Sequence, residues 1–118
     1  MIELDLYTHL SSDIDLANLV QDRIYPLKAK DGVIAPYITY LIVSNIDITS
    51  LQGDNYANKT RVQLDIFSKS YSEVKAVLGA VKSSMYKYKT QVHNFSSRDL
   101  FEEDTQLYRQ LIEFNINN

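Results

Sequence analysis

Apolar residues return along this chain at two different periods, and the switches between them divide it into segments. Ile2, Leu6 and Leu10 stand four apart with Leu4 and Tyr7 beside them, which predicts a short helix over residues 2–11. Ser12 with Asp15 three residues later has the spacing of a second helix start, carrying Leu16, Leu19 and Val20. Arg23-Ile24-Tyr25-Pro26 follows, and the proline turns Tyr25 away from helix, so an extended stretch is expected. Leu27 to Pro36 has the composition of a surface loop with a turn near Asp31-Gly32, although Val33 and Ile34 are apolar for a loop tip.

Tyr37 to Ile48 is rich in Ile, Val, Tyr and Thr and predicts a long strand. Gln52 to Asn58 breaks that pattern, after which Val62, Leu64 and Ile66 alternate with Arg61, Gln63 and Asp65 as the half-buried second strand of a hairpin. Ser70 and Glu73 have capping-box spacing, and Val74, Val77, Leu78, Val81 and Met85 then recur at helical steps. Gln91 to Phe101 alternates poorly and reads as a strand carrying a bulge or as two short pieces. In the last segment Tyr108, Ile112, Phe114 and Ile116 oppose Arg109, Leu111, Glu113 and Asn115, so a terminal strand should enter the sheet interior.

These segments predict one α+β domain spanning residues 1–118 in αα-ββ-α-ββ order. Its sheet should be small, largely antiparallel and four-stranded, with the helices packed on one face. If the strands flanking the long helix run parallel, their connection should be right-handed.

Composition narrows the chemistry. No cysteine is present, which removes disulfides, thiolate metal sites and a cysteine nucleophile together. No apolar run approaches the ~20 residues that cross a bilayer, and no leader pattern opens the chain, so a soluble, unprocessed protein without membrane contact is expected. Twelve basic and 15 acidic residues are intermixed for a net charge of −3, the opposite of a nucleic-acid footprint. Mild acidity suits a surface that must not hold DNA, and it is also common among soluble proteins.

Candidate catalytic groups are sparse. His9 and His93 lie on different elements without a partner at ligand spacing. No serine sits in a nucleophile elbow, and three glycines do not make a phosphate loop. Asp99, Glu102, Glu103 and Asp104 form the densest acidic group but lack EF-hand spacing, and a solvated turn accounts for them. The nine tyrosines and four phenylalanines raise base stacking as an alternative, which their scatter over both faces opposes. No enzyme, cofactor or metal is expected.

Three pieces then stand in order at matching spacing: Arg23-Ile24-Tyr25-Pro26, Ala35-Pro36-Tyr37-Ile38-Thr39-Tyr40, and Arg61-Val62-Gln63-Leu64-Asp65-Ile66-Phe67-Ser68-Lys69-Ser70-Tyr71. Together they resemble the tail-completion (tail-terminator) family of long-tailed siphophages and prophages, over nearly the whole chain. The resemblance implies a structural subunit of the virion neck, assembled in the host bacterial cytoplasm. Such a subunit forms a ring, typically a hexamer, that caps the head-proximal end of the tail tube. Its implied partners are the tail tube protein, the head connector or head-closure protein, and further copies of itself. A head-tail adaptor or head-closure subunit is the alternative within the same class, and a nucleic-acid-binding α+β module the alternative outside it.

A ring contact requires two different, complementary side surfaces on each subunit. The loop from Leu27 to Pro36 and the hairpin end from Asn45 to Asn58 are the candidates, because Leu27, Val33, Ile34, Leu51 and Tyr56 are apolar residues in loop-like surroundings. The alternative is that these side chains fold back on the core.

Overall fold

The computed structural model of the chain describes residues 2–49, 56–88 and 92–117. Its helices are α1 (Ile2–Ser11), α2 (Ile14–Val20) and α3 (Tyr71–Tyr86). Its strands are β1 (Ile24–Pro26), β2 (Tyr37–Thr49), β3 (Tyr56–Ser68), β4 (Val92–Glu102) and β5 (Leu107–Asn117). The strands form one mixed sheet in the order β1-β2-β3-β5-β4, in which β1 runs parallel to β2 and the other neighbours are antiparallel. The α+β class is as expected; the four-stranded count is corrected to five.

The added strand is the extended Ile24-Tyr25-Pro26 stretch, which pairs with Ile38, Thr39 and Tyr40. Proline lacks an N–H, and an outermost strand is where that loss leaves no ladder bond unmade. Burial of Ile24 in the core anchors so short a strand. The terminal β5 does enter the interior, between β3 and β4. Because β3 and β4 are each antiparallel to β5, they run parallel to one another across α3.

Local chemistry places the helix starts. Asp13, one residue beyond the expected Ser12, caps α2 by accepting from the Leu16 amide at 3.1 Å. Ser70 caps α3 as anticipated, accepting from the Glu73 amide at 3.3 Å, while the Ser68 hydroxyl donates to Glu73 Oε1 at 2.5 Å. Strand β3 begins at Tyr56, within the stretch read as a break, since Tyr56, Ala57 and Asn58 pair with Thr49, Ile48 and Asp47. Backbone pairing in a two-stranded ribbon does not require a buried face, so polar composition there misleads. The poor alternation of β4 reflects its place at the sheet edge, and its register shifts between His93 and Ser96, with Asn94 at a φ of 56°.

One side of the sheet carries the helices. Leu6, Leu10, Leu16 and Val20 of α1 and α2, with Val74, Val77, Val81 and Met85 of α3, bury against Ile38, Tyr40, Val62, Leu64, Ile66, Ile112, Phe114 and Ile116. His9 Nε2 donates to the Ser84 carbonyl at 2.7 Å and its ring meets Tyr88 edge-on at 5.1 Å, which ties α1 to the C-terminal end of α3.

Candidate protein-interaction surface

The alternate residues of β2, β3 and β5 point to the helix-free side: Tyr37, Thr39 and Leu41, then Arg61, Gln63, Asp65 and Phe67, then Arg109, Leu111, Glu113 and Asn115. Charged groups on this side pair across the strands. Arg109 Nε donates to Asp65 Oδ1 at 3.0 Å and its Nη1 lies 3.7 Å from Glu102 Oε2, while Gln63 Nε2 donates to Asp65 Oδ2 at 2.9 Å. The Arg109 guanidinium stands 5.6 Å from the centre of the Phe67 ring, which stacks on Tyr37 at 4.8 Å. Further along, Arg61 grips Glu113 at 2.6 and 2.8 Å and reaches Asn115 at 3.3 Å. Burial, and next the Glu102 carboxylate, raise the Tyr37 phenol above its ordinary value, opposed by Arg109, so it stays neutral through the physiological range.

The loop between β1 and β2 stands over one end of this face. Leu27 to Val33 and the strand residues beneath enclose an open cavity of about 540 Å³. Arg23 fixes the loop's base by donating from Nε to the Pro36 carbonyl at 2.9 Å. The Leu27 amide donates to the Tyr40 carbonyl at 2.7 Å, and Leu27 itself turns out of β1 with a φ of 65°. Gly32 makes the second sharp turn at a φ of 77°, a backbone state that costs glycine little.

Of the residues proposed for contact from sequence, Leu27 and Ile34 are each 73% exposed on this loop, whereas Val33 is half-buried against the cavity. Tyr56 opens β3, with its side chain outside the described residues, and Leu51 lies outside them altogether. Sequence reasoning passed over Leu100 and Phe101 as contact residues. Both are partly exposed at the β4 edge, Phe101 on the helix side with Tyr108 and Tyr71, and Leu100 across from Arg109 on the opposite face. Two adjacent large apolar residues before an acidic turn were the available signal. They line a second, apolar groove of about 260 Å³ with Val74, Tyr108 and Gln110.

Among the described residues no group of three or more His, Asp or Glu is gathered as metal ligands, and no helix is long and apolar enough to cross a membrane. The three sequence pieces singled out above turn out to be neighbours in space. Ile24 pairs with Ile38, which pairs in turn with Ile66, so the pieces form adjacent strands at the loop-bearing end of the sheet. The family model described as tail completion protein gp17 matches residues 5–117.

The chain belongs to the tail completion protein gp17 family. That family consists of structural phage proteins. Among solved structures, the gp17-family chain is similar to one from the virion of a native gene transfer agent (GTA) particle. The two share 15% identity with a TM-score of 0.72 over 95% of this chain and 90% of the other, a likeness of fold. A search of curated protein sequences gives no match.

Proposed function

We propose that this chain is the subunit that closes the head-proximal end of a phage tail tube as a ring, hexameric when assembled, and joins it to the head connector or head-closure protein. Membership of the tail completion family over residues 5–117 carries the reading. The fold it shares with a chain of a virion particle supports it. The subunit would act in the virion neck after assembly in the host cytoplasm, through contacts with the tail tube protein and its own copies and without catalysis.

The geometry suits such a role. A ring closed by head-to-tail contacts needs different surfaces on each subunit. Here the helix-covered and helix-free sides of the sheet differ in kind, and the two sheet edges differ as well: a three-residue strand beside a protruding loop, against an 11-residue strand with exposed Leu100 and Phe101. A net charge of −3 disfavours retention of passing DNA.

Imaging purified tail tubes grown with and without the protein tests the reading. Defined lengths with a ring at one end only in its presence are the expected result. Unchanged tubes with the protein bound instead to head connectors would reassign it as an adaptor, and salt-sensitive retention on DNA would overturn the tail role.

A further inference from the structure

The loop at residues 27–34 and the β4–β5 corner carry opposite charge, and both bear exposed apolar residues. The loop stands over the helix-free side, where Glu102 and Arg109 share its cavity, while the corner groove opens on the helix side between Tyr71, Val74, Tyr108 and Gln110. On the loop, Leu27 and Ile34 are exposed beside exposed Lys28 and Lys30. At the corner, exposed Phe101 and Tyr71, which both meet the Tyr108 ring on the helix side, adjoin exposed Glu103 and Asp104. Among the described residues, the ion pairs of this chain involve neither lysine and neither of these two carboxylates. Gln110, 1% exposed, lines the corner groove with its Oε1 unpartnered, an acceptor that a neighbouring donor would satisfy.

We infer that the loop of one copy docks in the β4–β5 corner groove of the next, with Leu27 and Ile34 against Phe101 and Tyr71, and with Lys28 and Lys30 facing Glu103 and Asp104. This deepens the ring reading and rests on it for the biological setting, though the contact itself is a property of two copies of the chain. Its occupant is a second copy because the two patches complement each other in sign and not themselves. Lysine would meet lysine in a two-fold contact through the loop, and carboxylate would meet carboxylate through the corner. A contact of this kind is head-to-tail. The apolar residues supply buried area, and the flanking charges set the register between copies.

The absence of cysteine from the chain makes the test direct. Lys28→Cys and Glu103→Cys are prepared separately, both at exposed positions, and oxidised at high protein concentration alone and mixed. The expected product is a disulfide-linked dimer from the mixture in roughly tenfold excess over either variant alone, falling as salt screens the remaining charges. Equal yields in all three samples, or no dimer in the mixture, would overturn the contact. Charge reversal gives a second reading. Lys28→Glu with Lys30→Glu should weaken self-association about tenfold, as should Glu103→Lys with Asp104→Lys, and mixing the two double variants should restore it. Failure to restore would also overturn the contact. The cross-link without a ring on tail tubes would leave this interface standing and remove the terminator role.

Discussion

Arg109 on β5 donates to the carboxylate of Asp65 on β3, a group only 4% exposed, and so joins the two strands diagonally on the helix-free side of the sheet. A buried carboxylate of this kind is tolerated because both its oxygens are engaged, one by Arg109 and the other by Gln63. Replacing Arg109 with alanine should therefore cost about 3 kcal/mol, since the charge on Asp65 would be left buried with one neutral partner. Pairing Arg109→Met with Asp65→Leu should cost far less. Urea unfolding of the two variants measures the difference, and equal losses would contradict the account.

His9 makes a smaller connection of the same type. Its ring bonds the Ser84 carbonyl near the C-terminal end of α3, a carbonyl that also accepts from the Lys87 amide at 3.0 Å. His9→Ala should lower stability by about 1 kcal/mol. Hydrogen exchange in α1 should rise with it, whereas a surface histidine without this role would change neither.

Leu27 combines an unfavourable backbone with an exposed side chain. Its φ of 65° favours glycine, and its 73% exposure means that little core packing is lost on truncation. Leu27→Gly should leave the unfolding free energy within about 1 kcal/mol of the parent, because relief of strain offsets the greater freedom of the unfolded chain. Self-association should weaken in the same variant. A large fall in melting temperature would show that the side chain supports the fold instead of a contact.

The Asp99 carboxylate on β4 accepts from Lys75 Nζ at 2.6 Å and from the Tyr71 hydroxyl at 2.7 Å, which holds the edge strand to the start of α3. These hydrogen bonds, that from Lys75 first, place its carboxyl below the ordinary value of 3.8. The same bond raises the Lys75 ammonium above its usual range. For the acid, the stabilisation is present above the unfolded value and disappears as pH falls through the folded one; for the lysine it is present below the unfolded value and lost as pH rises through the folded one. The pair is solvent-exposed, so the effect should be local. Nuclear magnetic resonance of β4 amides should show protection declining on acidification below the ordinary aspartate value, and Asp99→Asn should abolish that dependence.

Residues acting over a few positions were readable along the chain. The 3.6-residue return of Val74, Val77, Val81 and Met85, the Ser70 cap, and the alternation of Val62, Leu64 and Ile66 each depend on local geometry, and each element formed where its pattern lay. The family was legible for a related reason. Its pieces are short segments whose spacing survives in sequence, although their meeting in adjacent strands could not be seen there. The candidate surface was half legible, in that Leu27 and Ile34 were apolar residues in a loop and did emerge exposed, while Val33 turned toward the cavity.

By itself the sequence determined the α+β class, the succession of helices and strands, and the family. Periodicity and capping act within one or two turns of chain, and hydrophobic sides follow from them. The tertiary structure decided that β1 becomes a fifth strand, that β5 separates β3 from β4, and that Arg109 meets Asp65 44 positions away and Arg61 meets Glu113 52 away. It also decided which of the apolar residues outside the core remain in solvent. These outcomes depend on which strands the chain brings side by side, and strand pairing joins residues whose separation leaves no periodic mark.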